Sequence, residues 1–109
     1  MTLTHDQIAN RQRFTRALRS GKYLQTRSEY VGFDFDQQRH TFCVMGLAWE
    51  LQTVHDRLEN IEWTVLDYYG LSLSQQCELT DLNDDGLANF ADLAEVIDRM
   101  TTQEEENRI

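Results

Sequence analysis

Residues 79–100 read L-T-D-L-N-D-D-G-L-A-N-F-A-D-L-A-E-V-I-D-R-M, and the interpretation of the whole chain begins from this stretch. Its second half carries apolar residues at helical spacing, namely Phe90, Leu93, Ala94, Val96, Ile97 and Met100. The spacing predicts an amphipathic helix from residue 90 to about residue 100. Such a helix is stable in water only when other elements cover its apolar side, so the rest of the chain must supply that cover.

The first half of the stretch has the ligand spacing of an EF-hand calcium loop. Positions 1, 3, 5, 6, 9 and 12 of a twelve-residue frame are Asp81, Asn83, Asp85, Gly86, Asn89 and Asp92. The backbone carbonyl of Leu87 would be a further ligand at position 7. Because the frame ends in Asp, it resembles a dockerin-type loop, although dockerins use two such loops and this chain has one. The alternative is a metal-free turn in which Asn89 and Asp92 cap the next helix.

The chain has the size and composition of one globular domain, with 109 residues, 40% hydrophobic and 27% charged. We expect a single domain over residues 1–100 and a frayed acidic tail over residues 101–109. No apolar run approaches the length of a membrane span, which is about 20 residues. The first residues lack the apolar core of a signal peptide, so we expect a cytoplasmic protein.

Charge is distributed unevenly along the chain. Residues 1–27 contain six Lys/Arg and one acid, whereas residues 28–109 contain four Lys/Arg and eighteen Asp/Glu. The net charge of −9 repels nucleic acid and membrane surfaces and favours a partner that is basic. The alternative is that the charge only keeps a small protein soluble.

Thr4 and Gln7 form a capping-box pattern, which predicts a helix that starts near His5 and ends before Gly21. Its basic face could contact phosphate, as in a protein that sequesters a nucleotide, or could pair with the acidic part of the same chain. The residues of this basic face are Arg13, Arg16, Arg19 and Lys22.

Residues 29–36 alternate, with Val31, Phe33 and Phe35 on one side, and predict a half-buried strand. Residues 41–43 predict the second strand of a hairpin. An apolar stripe at Leu47, Leu51, Val54 and Leu58 predicts a helix, and further short helices follow over residues 61–69 and 75–82, the latter capped by Ser74. The predicted fold is therefore α+β, with four to five short helices packed on a small β-hairpin.

Three blocks of the sequence resemble a family of small phage and bacterial proteins without an established activity. Residues 17–25 read A-L-R-S-G-K-Y-L-Q and match the family's ALRSGxYxQ opening. Residues 42–48, F-C-V-M-G-L-A, correspond to its fCCLGVL-like segment, and Leu82-Asn83-Asp84 followed by Phe90, Leu93, Ala94 and Ile97 correspond to its ending. The family's doubled cysteine is Cys43-Val44 here, which argues against thiol chemistry in this chain. The resemblance implies a phage-encoded protein in which the 83–84 turn need not complete a metal site.

No catalytic residues are predicted. Cys43 and Cys77 are too few for a disulfide framework, and we expect them to be free and partly buried. No glycine-rich phosphate loop is present. Calcium is the only cofactor that the sequence suggests. We expect Trp63 and Tyr69 to lie in the core.

The leading hypothesis is a non-enzymatic binding module that occupies a basic surface of a host protein. It would inhibit a nucleic-acid-handling or defence protein by charge mimicry, without contacting nucleic acid or membrane itself. The hypothesis leaves the partner's identity and the oligomeric state open. The predicted partner-binding residues are Asp84, Asp85, Asp92, Glu95, Asp98, Trp49 and Tyr68.

Overall fold

The structure, a computed structural model, describes residues 3–52, 61–86 and 88–106. These residues form five helices and three short strands, which confirms the predicted α+β class. In chain order the elements are α1 (His5–Arg19), β1 (Leu24–Gln25), β2 (Val31–Asp34), β3 (Arg39–Phe42), α2 (Val44–Glu50), α3 (Ile61–Tyr69), α4 (Leu73–Asp84) and α5 (Phe90–Glu106). The end of the predicted stripe, Val54 and Leu58, lies outside the described residues.

Helix α1 begins where the sequence predicts. The Gln7 backbone N–H donates to Thr4 Oγ1 at 3.1 Å and the Thr4 N–H donates to Gln7 Oε1 at 3.0 Å, so the capping box is complete. Gly21 follows the helix with a φ of 74°, which is the left-handed conformation that favours glycine at a helix end.

All five helices contribute to the core: α1 packs on α5 and α3, and α2 packs on α3 and α4 with its residues 44–48 all buried. Phe14 of α1 is fully buried, and its ring centroid lies 5.1 Å from that of Tyr69, which is also buried as expected. Leu93 and Ile97 of α5 are fully buried, which confirms the predicted apolar side of this helix. Trp63 was expected in the core, but it is 57% exposed because α3 turns Thr64 and Val65 inward instead.

The three strands form one sheet in the order β1-β3-β2. Strands β2 and β3 pair antiparallel, with Val31 opposite Phe42 and Asp34 opposite Arg39, so the predicted hairpin is confirmed. Strand β1 pairs in parallel with β3 and adds a third strand to the predicted hairpin. The sequence of its two residues does not predict this strand. Strand β2 is therefore an edge strand that packs mainly on β3.

The predicted burial of the hairpin is wrong. Val31, Phe33 and Phe35 are 43%, 44% and 82% exposed, whereas Gly32 and Asp34 are half-buried. The reason is the edge position of β2, because none of the five described helices buries the apolar side of this strand. Phe33 instead packs in edge-to-face geometry on Phe35 and on His40, with ring centroids 5.1 and 5.3 Å apart.

Two predicted helix ends also differ from the structure. The cap of α4 is Ser72 rather than Ser74, since Ser72 and Gln75 form a complete capping box. Helix α5 does not end near residue 100 but continues to Glu106. Its last turns are held by Glu104, which contacts Arg11 and accepts a hydrogen bond from Gln75, so a frayed tail from residue 101 is not what the structure has.

Candidate functional site

The predicted calcium frame is divided between two helices. Asp81 and Asn83 lie within α4, Asp85 is the C-cap of α4, and Asp92 lies in the first turn of α5. Leu87 lies outside the described residues. In the described part of the chain, no three His, Cys, Asp or Glu side chains converge in a way that could hold a metal ion. Calcium binding stays a prediction, and the helical position of Asp81 and Asn83 adds no support to it.

Asn83 has a structural role that the calcium frame did not anticipate. It is fully buried, and its Oδ1 accepts hydrogen bonds from Gln25 Nε2 at 2.9 Å and from the Val44 N–H at 3.2 Å. Its Nδ2 donates to the Thr26 carbonyl at 2.9 Å and to Asp84 Oδ1 at 3.0 Å. Asn83 therefore joins α4 to the sheet and to the start of α2, and its side-chain groups are fully used in doing so.

Charges on α1 and α5 neutralise each other. Arg19 Nη2 lies 2.7 Å from Asp98 Oδ2 and 3.5 Å from Glu95 Oε1. Glu95 and Asp98 were predicted to face a partner, and Arg19 was predicted to belong to a basic face. These ion pairs give all three groups a partner within the chain.

Arg11 is the largest fully buried side chain, and sequence reasoning assigned it no role. Its Nε donates to the Tyr69 carbonyl at 2.7 Å and its Nη2 to the Gly70 carbonyl at 2.8 Å, so it caps the C-terminus of α3. Its Nη2 also lies 3.2 Å from Glu104. Burial lowers the pKa of Arg11, although Glu104 acts in the opposite direction.

The remaining basic-face and aromatic residues are placed as follows. Arg13 donates to Asn10 and to the Tyr68 hydroxyl, the latter at 2.9 Å, and its guanidinium lies 6.0 Å from the centre of the Tyr68 ring. Tyr68 is half-buried by these contacts, and Trp49 is half-buried in α2. Arg16 and Lys22 are exposed. Nucleotide binding on this face stays a prediction.

A groove runs along α4, and its charges are not paired as those of the α1–α5 contact are. It consists of two depressions that share Tyr30 and Thr80, with volumes of about 270 and 330 Å³. The first end is completed by Ser28, Glu29, Cys43 and Asp84. The second end is completed by Met45, Glu62, Leu73, Gln76, Cys77 and Asp81. We call this feature the acidic groove, because among the described residues four carboxylates and no Lys or Arg line it.

The four carboxylates of the acidic groove make no ion pair among the described residues. Glu62 accepts a hydrogen bond from the Tyr30 hydroxyl at 3.0 Å, and Asp84 accepts from the Ser28 N–H at 2.9 Å. Arg27 lies near Gly86, just after the C-terminal end of α4, where its Nε would stand 3.4 Å from a β-carbon placed on that glycine.

Tyr30 is held in place by a close backbone contact. Its carbonyl accepts a hydrogen bond from the Cys43 N–H at 3.1 Å at the start of α2. Position 46 must be glycine for this approach, since a β-carbon there would stand 1.9 Å from the Tyr30 oxygen. Cys43 and Gly46 of the F-C-V-M-G-L-A block thus hold the backbone of Tyr30 at the centre of the acidic groove.

The two cysteines have different environments. Cys43 is buried, caps α2 by accepting the Gly46 N–H at 3.3 Å, and has a raised thiol pKa because burial disfavours the thiolate. Cys77 is free and exposed in the acidic groove, although it was expected to be partly buried.

The fold and the groove together define a small α+β domain with a recessed, negatively charged binding surface. Comparisons with known proteins add nothing to this definition, since no family model, no curated protein and no solved structure matches the chain. The resemblance to small phage and bacterial proteins stays a prediction. No helix in the described ranges is both long enough and apolar enough to cross a membrane.

Proposed function

We propose that this chain is an acidic, non-enzymatic protein-binding module that receives a cationic segment of its partner in the acidic groove. The observation that carries the proposal is the lining of the groove, in which the described residues include Glu29, Glu62, Asp81 and Asp84 and no Lys or Arg. A recess with one sign of charge concentrates the electrostatic field and draws in a ligand of the opposite sign.

The position of these acids in α4 supports the proposal. Asp81, Asp84 and Asp85 lie at the C-terminal end of the helix, and its last turn contains no basic residue. The helix dipole places negative charge at this end, so each carboxylate there is unfavourable by about 0.3–1 kcal/mol. Asp84 accepts hydrogen bonds from Ser28 and Asn83, but the helix dipole disfavours the charges of Asp81 and Asp85. A bound cation removes the repulsion, which gives these acids a role in binding.

The hairpin can add apolar contact area to the same interface. Tyr30 of the groove is followed directly by β2, and Val31, Phe33 and Phe35 are exposed there. Exposed aromatic residues are common at the energetic centres of protein interfaces. A partner that crosses the groove and reaches the hairpin would meet charge and apolar surface in succession.

We propose as the partner a bacterial nucleic-acid-handling or defence protein, whose basic surface the module would occupy by charge mimicry in the host cytoplasm. The net charge of −9 and the resemblance to phage proteins support this choice. Glu95 and Asp98 are paired with Arg19, so the acidic groove and the adjacent Asp85 are the favoured contact surface for a partner.

The test compares two variants with the same net charge. The groove variant carries Glu62→Gln and Asp81→Asn, and the control variant carries Asp67→Asn and Glu105→Gln, two exposed acids outside the groove. Each immobilised protein is exposed to a bacterial lysate, and the captured protein is identified and its affinity measured with purified components at low and high salt. We expect the groove variant to lose at least tenfold in affinity, or about 1.4 kcal/mol, and the control to lose less than threefold.

Two results would contradict the proposal. One is equal loss of affinity in both variants, which would mean that only net charge matters. The other is binding that does not weaken as salt rises, because exposed charges are screened over about 8 Å at physiological ionic strength.

A further inference from the structure

One polar atom at the acidic groove lacks a hydrogen-bond partner. Gln76 is 3% exposed, and its Nε2 donates to the Glu62 carbonyl at 2.9 Å and to the Leu71 carbonyl at 2.8 Å. Because both partners are acceptors, the amide nitrogen and oxygen of Gln76 cannot be exchanged. Its Oε1 is buried without a donor among the described residues. A buried acceptor in this state favours a ligand that brings an N–H group.

Gln76 lines the same end of the groove as two carboxylates. Glu62 uses one oxygen, Oε1, to accept from the Tyr30 hydroxyl, and Asp81 is exposed on the next turn of α4. The acceptors available at this end are thus one amide oxygen and two carboxylates. The apolar side chains of Met45 and Leu73 stand beside them, and Leu73 is 46% exposed.

We propose that this end of the acidic groove is a pocket for the guanidinium group of an arginine side chain from the partner. The inference rests on the proposed function and specifies the residue that the groove recognises. The guanidinium donates to Gln76 Oε1 and to the carboxylates of Glu62 and Asp81, and its flat face and aliphatic stem lie against Tyr30 and Leu73.

Three properties of the pocket favour arginine over lysine. A guanidinium has five N–H donors in a planar fork and can serve several acceptors at once, whereas an ammonium has three donors on one atom. It is weakly hydrated, so it loses less on entering a recess with apolar walls. It also stacks on aromatic rings, and Tyr30 supplies one at this position.

The experiment uses three seven-residue peptides that differ only at the central position. Each has the sequence Gly-Ser-Lys-X-Lys-Ser-Gly, in which X is arginine, lysine of equal charge, or citrulline, which has the shape of arginine without its charge. Binding to the full chain is measured by titration while the side-chain amide signal of Gln76 is followed by NMR. We expect the arginine peptide to bind about fivefold to tenfold more tightly than the lysine peptide and to shift the Gln76 signal.

The Gln76→Met variant tests the role of the unpartnered oxygen. It should bring the affinities for the arginine and lysine peptides to within twofold of each other. A second measurement does not depend on the folding of this variant. Cys77 is exposed in the pocket and Cys43 is buried, so the arginine peptide should slow alkylation of Cys77 in the unaltered protein more than the citrulline peptide does.

The outcomes separate this inference from the proposed function. Equal affinities for the arginine and lysine peptides, or an arginine preference that survives in Gln76→Met, would overturn the arginine pocket and leave the cation-binding groove standing. If none of the three peptides binds and none protects Cys77, both proposals fail.

Discussion

Charged residues form ion pairs in the α1–α5 contact, whereas the carboxylates of the acidic groove have none among the described residues. Between α1 and α5, arginines of the basic N-terminal part meet carboxylates of the acidic C-terminal part, in the pairs Arg11–Glu104, Arg19–Asp98 and Arg19–Glu95. Along the acidic groove, the described lining residues include four carboxylates and no Lys or Arg.

The difference shows that net charge alone does not identify a binding surface. The α1–α5 carboxylates are part of the fold, since their partners are in the same chain. Of the groove carboxylates, Asp81 and Asp84 oppose the dipole of α4. All four lack a cationic partner among the described residues, so their charge is available to another molecule. If this distinction is correct, substitutions in the two regions must differ in size and in sign.

The largest effect is expected for Arg11→Met. This change leaves Glu104 and the carbonyls of Tyr69 and Gly70 without their buried donor, and loss of one member of a buried pair costs about 3–5 kcal/mol. The free energy of unfolding from urea denaturation measures it. The exposed Arg16→Met is the control and should change stability by less than about 0.5 kcal/mol. A loss for Arg11→Met as small as that of the control would mean that the α1–α5 charges are not part of the fold.

Gly46→Ala should have the next largest effect. The added β-carbon would stand 1.9 Å from the Tyr30 carbonyl oxygen, so the backbone must move. Overpacking of this kind costs about 1–3 kcal/mol, and movement of Tyr30 should also weaken binding at the groove. Gly21→Ala meets no atom within 4 Å and carries only the cost of its positive φ, so it serves as the control. A stable Gly46→Ala protein with unchanged binding would contradict the role of this contact.

Alkaline pH should destabilise the protein through Tyr69. Burial raises the pKa of Tyr69 far above its ordinary value, which is about 10. The unfolded chain therefore loses the phenolic proton at lower pH than the folded chain does. The resulting stabilisation is fully present below about pH 10 and is lost as the pH rises above it. Thermal unfolding between pH 9 and about pH 11 should show a steeper loss for the unaltered protein than for Tyr69→Phe, and equal slopes would refute this cause.

The smallest expected changes in stability have opposite signs in the two regions. Asp98→Asn removes an exposed ion pair and should cost about 0.2–1 kcal/mol. Asp81→Asn removes an unpaired carboxylate from the C-terminal turn of α4 and should raise stability by about 0.3–1 kcal/mol. Chemical denaturation of both variants at low salt compares them. Destabilisation by both substitutions would show that Asp81 has a stabilising partner within the chain.

The sequence predicts the fold better than it predicts the site. The capping box at Thr4, the apolar side of α5 and the hairpin are local patterns, and the structure confirms them. Burial of the Val31, Phe33 and Phe35 side was not predictable in this way, because it depends on whether another element covers β2. The alternation of apolar and polar residues gives no information about that cover.

The acidic groove also depends on contacts between distant parts of the chain. Glu62 and Asp81 are nineteen positions apart in the sequence, and Tyr30 joins them only because Gly46 lets its backbone approach α2. The sequence does draw attention to residues 81–85, but the frame spacing suggests a calcium loop or a capped turn there. The helix predicted over residues 75–82 already includes Asp81, and the capping pair Ser72 and Gln75 shows where that helix starts.

The central claim is that the groove carboxylates, rather than the acidic surface as a whole, receive a cationic ligand. The most direct test is a titration of the isotope-labelled full chain with a hexa-arginine peptide, followed by backbone amide NMR shifts. The account predicts that the largest shifts cluster at Tyr30, Glu62, Cys77, Thr80 and Asp81, with small shifts at Glu95 and Asp98. Shifts of equal size on both sides of the molecule, or larger ones along α5, would contradict it.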